Sequence, residues 1–165
     1  MARLESRTEM ATGTGRKQPL RLWLRLLACE NIIEQHIRTS LREQFGITLP
    51  QFDVLAELEY LGQPLTMTEL STRLMVSNGN VTGVVDRLVR LGYVERLTAP
   101  DDRRVHLIQL TQRGLDAFRT MADSHETWIS NMLSGVQDED LAQLLELLSR
   151  THDVLKAKYK ESAPP

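Results

Sequence analysis

The chain has 165 residues, 41% hydrophobic and 25% charged, with a formal net charge of −2. That length supports one well-buried domain, or one domain with extra helices for self-association, and the balance of residue types excludes a chain too polar to fold. No run approaches the ~18 apolar residues of a membrane span; Leu20–Ala28 is broken by Arg21 and Arg25 and lacks a small-residue cleavage site, so neither anchor nor signal peptide is expected.

Residues 1–18 are polar, carry Thr12-Gly13-Thr14-Gly15 and show no apolar period, so they read as a mobile tail. From Leu20 the residues Leu22, Leu26, Cys29, Ile33, Ile37, Leu41 and Phe45 recur at helical spacing and predict one long helix capped by Gly46. Thr48-Leu49-Pro50 starts a second helix, with proline in the first turn where its missing N–H costs nothing; Phe52, Leu55, Ala56, Leu58 and Leu61 supply its apolar side, and Gly62 and Pro64 stop it. Thr66-Met67-Thr68-Glu69 is a capping box, which predicts a helix of about two turns through Leu70, Leu74 and Met75.

Val76-Ser77-Asn78-Gly79-Asn80 interrupts that helix, and Ser77 or Asn78 can cap the next. Val81, Val84, Val85, Leu88 and Leu91 give the new helix its buried face, and Gly92 closes it. The period then changes. Tyr93–Leu97 and Val105–Leu110 are short and rich in β-formers, and Thr98–Arg104 between them has Pro-Asp turn chemistry, so the segment predicts a hairpin. Thr111 caps a further long helix through Leu115, Phe118, Met121, Trp128 and Met132, broken at Gly135. Asp138-Glu139-Asp140 opens the last helix, acids first, and Lys156, Lys158 and Lys160 end it, both matching the helix dipole. Residues 161–165 read as a frayed tail. The predicted class is mainly α with a small β-hairpin: a two-turn helix, tight turn and second helix form a helix-turn-helix, and the hairpin behind it makes a wing.

Charge is unevenly placed. Residues 49–65 hold three acids and no base, whereas residues 66–111 hold six bases against five acids. The acid excess therefore lies outside the predicted helix-turn-helix and wing, as a nucleic-acid binder allows, since only the face that meets phosphate must be basic.

The surface side of the second helix of the pair carries Ser77, Asn78, Gly79, Asn80, Thr82, Gly83, Asp86, Arg87 and Arg90. Short polar groups and bare backbone approach base edges closely: Asn pairs bidentately with adenine, and Ser or Thr serves bases or phosphates. The same residues also suit an ordinary capped surface helix. At the wing tip, Arg103 and Arg104 follow Asp101 and Asp102. Such a tip either lies on the backbone or enters a minor groove, or is simply a solvated turn.

Together Leu70–Leu74, Ser77–Thr82, Val85–Leu88, Gly92–Arg96 and Asp101–Thr111 resemble the MarR family of bacterial regulators over roughly residues 20–160. The resemblance implies a winged helix-turn-helix at residues 49–111, flanked by dimerisation helices at 19–48 and 112–160. It implies a homodimer on the two halves of a pseudo-palindromic DNA site. By resemblance Ser77, Asn78, Asn80, Thr82 and Arg87 meet the major groove and its phosphates, Arg103 and Arg104 reach the minor groove, and Asp102 braces Arg104. Regulators of this kind respond to a small molecule, often phenolic, in a crevice whose matching positions here include Cys29, Ile33, His36, Ile37, Phe52, Leu55 and Phe118. Most of these also suit a plain core; Cys29 and His36 add polar atoms beside the apolar wall. Arg38 and Arg42, one turn apart, suit DNA phosphate, an anionic ligand or bare solvent. The string Ser77–Gly83 is similar to the branch that controls breakdown of hydroxycinnamates, some members of which sense the coenzyme A thioester. This predicts a repressor of an aromatic-acid operon.

Three other readings compete. Cys29 can serve as a redox sensor, although it lies about five residues nearer to Pro50-Gln51-Phe52 than the reactive cysteine of the peroxide-sensing branch. A lone cysteine also excludes an internal disulfide and suits a reducing cytoplasm. A winged helix can serve protein contacts alone. An enzyme is not expected: His36, His106, His125 and His152 are scattered, with no metal-pair spacing, and Thr12–Gly15 lacks the Gly-Lys-Ser/Thr of a phosphate loop. No cofactor or metal is called for.

Overall fold

The computed structural model describes residues 17–99 and 105–160; the predicted N-terminal tail, the wing tip and the last residues lie outside them. The chain forms two compact units, one ending at Trp128 and the other beginning at Ile129.

The first unit starts with helix α1 (Gln18–Phe45), whose end is set by Gly46 at φ 66°, its N–H donating to the Arg42 carbonyl at 3.1 Å. Helix α2 (Leu49–Leu61) follows at once. The Gln51 side chain accepts from the Thr48 N–H at 2.8 Å, and Gly62 at φ 62° ends the helix. Strand β1 (Leu65–Thr66) leads into helix α3 (Met67–Arg73) through the predicted capping box. Glu69 accepts from the Thr66 N–H at 2.7 Å and donates its own N–H to the Thr66 hydroxyl at 3.2 Å. The Thr66 N–H and hydroxyl, both donating to the Glu69 carboxylate, hold it below its usual pKa.

Helix α4 (Asn78–Leu91) completes the helix-turn-helix, and strands β2 (Val94–Thr98) and β3 (His106–Leu110) form the antiparallel wing. Leu65 pairs with Ile108, so β1 adds a third strand and the sheet order is β1-β3-β2. A two-residue strand has no readable period, which is why the sequence predicts a hairpin alone. Helix α5 (Gln112–Leu133) leaves the sheet.

Each element contributes to one core: Leu41 from α1, Leu55 from α2, Leu70 from α3, Val85 and Leu88 from α4, and Ile108 from β3 are all 0% exposed. Burial of each such side chain stabilises by about 1.5–3 kcal/mol. Helix α4 packs on α2, α3 and β2, so its position is fixed from three sides.

The second unit contains the end of α5 and helix α6 (Asp138–Lys160), which opens with Asp138, Glu139 and Asp140 as the dipole favours. Its Leu144, Leu145, Leu147, Val154, Leu155 and Tyr159 are exposed.

Among the described residues no helix is long and apolar enough to cross a membrane.

Candidate nucleic-acid interface

The turn between α3 and α4 departs from expectation. Met75, predicted as an apolar position of the first helix, sits at φ 54° and is 94% exposed. The Met75 N–H donates to the Thr72 carbonyl and the Val76 N–H to the Ser71 carbonyl, at 3.3 and 3.0 Å. This is the paired reverse bonding of a Schellman cap, with methionine where glycine is usual. The helical run therefore ends at Arg73, and Met75 leaves the core because its backbone has turned left-handed.

Ser77 then caps α4 with its backbone, its carbonyl accepting from the Asn80 and Val81 N–H groups at 3.0 and 3.2 Å. Its side chain makes no capping bond and is exposed. The hydroxyl is thus not spent on the helix. Asn78 is the first residue of α4; its side chain is outside the described set. Val81, Val85 and Leu88 face the core at no more than 1% exposure, which turns Asn80, Thr82, Gly83, Arg87 and Arg90 outward. A Cβ added at Gly79 or Gly83 would meet nothing within 4 Å. Neither glycine is required by the packing, and bare backbone near a helix N-terminus suits phosphate and base edges.

Of the outward charges, Asp86 is taken up by Arg96 of β2, which donates to it at 2.5 Å. The pair neutralises the one acid on this side of α4 and ties the helix to the base of the wing. A pair ten residues apart follows no helical spacing, so this partner of Asp86 carries no local sequence signal. Arg87 and Arg90 are exposed with no ion pair or hydrogen bond among the described residues. Arg73 of α3 is paired with Glu57 of α2 at 2.7 Å.

The wing is registered by Val94 opposite Leu110 and Thr98 opposite His106, and the Ala99 N–H extends the ladder to the Val105 carbonyl at 2.9 Å. Glu95 and Gln109 stand opposite and bond at 3.0 Å. Asp102, Arg103 and Arg104 lie outside the described residues.

Thr111 locks wing to helix. Its hydroxyl donates to the Gly92 carbonyl at 2.7 Å and accepts from the Gly114 N–H at 3.0 Å. Gly114 packs so closely on the wing that an added Cβ would fall 1.8 Å from the Tyr93 carbonyl oxygen. The Leu-Thr-x-x-Gly run thus fixes the end of α4, the start of β2 and the start of α5 together.

The residues expected in an effector crevice differ in exposure. Ile37, Phe52, Leu55 and Phe118 are core, with the Phe52 and Phe118 rings 5.4 Å apart. Leu55 has no surface left to offer a ligand. Phe52 also stacks on His125 at 5.2 Å, and burial lowers the His125 pKa. Ile33 is half-buried, while Cys29, His36 and Arg42 are exposed, because the helical step past Ile33 and Ile37 carries them outward. Arg38 lines a cavity, and its guanidinium is already paired with Glu34 at 2.6 Å.

Comparison with known proteins agrees with this geometry. Residues 45–105 match the MarR family. The HTH-type transcriptional regulator YkoM of Bacillus subtilis (strain 168) is 32% identical over 123 residues, covering 74% of this chain and 78% of that protein. PecS of Dickeya dadantii (strain 3937), another HTH-type regulator, is 29% identical, covering 65% and 66%. Among solved structures, a MarR family transcriptional regulator from Silicibacter pomeroyi superposes with TM-score 0.73 at 28% identity, covering 87% of this chain and 99% of that one. Wild-type MarR from E. coli, in its apo form, gives 0.69 at 28% identity, covering 77% and 94%. These relatives are regulators and not enzymes. With a winged helix-turn-helix whose recognition helix shows its polar, glycine-bearing side to solvent, the chain belongs to the MarR family of DNA-binding transcriptional regulators.

Proposed function

We propose that the protein is a homodimeric, ligand-responsive repressor acting in the cytoplasm, which binds a pseudo-palindromic DNA site and is released by a small aromatic compound. The observation that carries the DNA reading is the outward side of α4: Ser77 with an unspent hydroxyl, Asn80, two glycines with open space above them, and Arg87 without a partner among the described residues. Ser77, Asn80, Thr82 and Arg87, with Asn78, are the proposed major-groove set. Asp102, Arg103 and Arg104 are the proposed minor-groove set.

Self-association is supported by apolar surface at both ends of the chain. Leu20, Leu22, Trp23 and Ile32 of α1, and Leu144, Leu145 and Leu155 of α6, are each about half exposed or more. Exposed apolar residues in such number mark an interface. These helices fall within the proposed dimerisation segments, 19–48 and 112–160, around a DNA-binding domain at 49–111.

The likeness of Ser77–Gly83 to regulators of hydroxycinnamate breakdown supports an aromatic effector and an operon for aromatic-compound catabolism. The Glu34–Arg38 pair argues against a coenzyme A thioester, because Arg38 is no longer an unspent cation for its phosphates. Cys29 is an exposed free thiol with no hydrogen bond or ion pair among the described residues to activate it; the redox reading has no support beyond the residue itself.

The test is selection of bound duplexes from a random pool, followed by titration. The proposal predicts one pseudo-palindromic site, bound about 10-fold or more weaker by Asn80→Ala or Arg87→Ala. Recovery of no sequence, or equal affinity of both variants, would refute it.

A further inference from the structure

A cavity of about 420 Å³ opens between α1, α2 and α4. Its size falls within the roughly 300–1,000 Å³ of ordinary small-molecule sites. Most of its wall is apolar, from leucine, valine and proline side chains that include Val54, Leu74 and Val84. Its charged groups are Glu34 and Arg38 from α1 and Asp53 from α2. Arg38 is bound to Glu34 at 2.6 Å, while Asp53 is half-buried and has no hydrogen bond or ion pair among the described residues. Two carboxylates thus face one guanidinium: Glu34 holds it in a direct ion pair, and Asp53 interacts with it only at longer range.

We infer that this cavity binds an amphiphilic organic amine, with its apolar ring against the α2–α4 wall and its cationic nitrogen on Asp53. The inference rests on the ligand-responsive reading above and specifies its chemistry: the aromatic body is kept, and the acidic head is replaced by a cation. An aromatic carboxylate in the same place would set a third anion beside Glu34 and Asp53 with a single, already paired cation to offset it. A cation instead gives Asp53 a direct ion-pair partner, in a partly dry site where charge pairing is screened less than in water. Burial already pushes the Asp53 carboxyl up to about 6, Arg38 lowering it and Glu34 raising it. An incoming ammonium would relieve that same strain.

Asn80, Val81 and Val84 of the recognition helix form the opposite wall. An occupant therefore touches α4 directly, on the turn that carries a proposed base-reading side chain. Occupancy and DNA binding are coupled through Asn80 and the seating of α4, with no distant relay.

The experiment is calorimetry of the full chain with three probes of one shape: 2-phenylethylamine, 2-phenylethanol and phenylacetate. The amine is expected to bind about 10-fold or more tighter than phenylacetate, with the alcohol between them. Asp53→Asn should lose about 10-fold in amine affinity while binding the selected duplex normally in the absence of amine. Glu34→Gln, checked for fold by circular dichroism, should also lose amine affinity, since Arg38 is then unpaired. The amine should weaken duplex binding by wild type and not by Asp53→Asn. Phenylacetate binding as tightly as the amine, or Asp53→Asn binding the amine as wild type does, would overturn the inference. A protein that binds the amine but no duplex would instead sink the regulator reading and leave the cavity assignment standing.

Discussion

Single residues at the interface hold conformations that the fold alone does not ask for. Met75 occupies the left-handed position of a helix cap at φ 54°, where a side chain costs roughly 1 kcal/mol relative to glycine. Met75→Gly should raise stability by about 0.5–1 kcal/mol in urea unfolding; a loss would mean that the exposed methionine is held by contacts of its own. Gly83 lies inside α4 with open space above it, so Gly83→Ala should add about 1 kcal/mol of helix stability and still weaken duplex binding. That opposite pair of signs would assign the glycine to DNA approach. Asp53 carries the reverse strain. Its pKa is raised from 3.8 to about 6 by burial, so the folded state holds the proton more tightly than the unfolded state. Stability linked to Asp53 is therefore gained as pH falls from above 6 towards 4. Asp53→Asn should be more stable than wild type at pH 7–8, by roughly 1 kcal/mol because the group keeps some solvent, and the gap should close near pH 4. Thermal melts across that range read the difference.

At the level of elements, the wing and the recognition helix behave as one piece because Thr111, Gly114 and the Asp86–Arg96 pair bind them together. Gly114→Ala should be severely destabilising, by about 3 kcal/mol or more, since the backbone at Tyr93 cannot retreat without breaking the β2 start; a near-neutral result would mean that α5 can slide on the wing. The Asp86–Arg96 pair is about 40% exposed on both sides, and its direct contribution to stability is correspondingly small. Arg96→Ala should therefore leave the melting temperature almost unchanged and reduce duplex affinity, because the unmasked Asp86 repels phosphate. The helices, their caps and the two-strand wing were legible in the sequence, because capping residues and a change of hydrophobic period are local signals. The third strand, the Met75 cap and the Asp86–Arg96 pair were not, since each depends on partners the local pattern does not name. For an effector crevice the sequence offers only helical periodicity, which ranks residues by the side they share and does not separate a core position from a crevice wall; Ile37, Leu55 and Phe118 are buried in the core.

For the whole molecule, affinity has to come from few groups, because the net charge is −2 and the acids cluster away from the interface. In the proposed dimer, two copies of α4 and its wing would engage one DNA site through placed arginines and backbone N–H groups. Arg87 at the major groove and Arg103 and Arg104 in the minor groove, each bringing one positive charge to the DNA in both protomers, would displace about six counterions, which corresponds to a slope of log affinity against log salt near −5. The measurement that tests this most directly is fluorescence anisotropy of the selected duplex across a salt series, with wild type and Arg104→Ala side by side. The account predicts a slope steeper than about −4 for wild type and a slope shallower by about 2 for the variant, one counterion lost per protomer. A wild-type slope between 0 and about −1, or identical slopes for the two proteins, would contradict it.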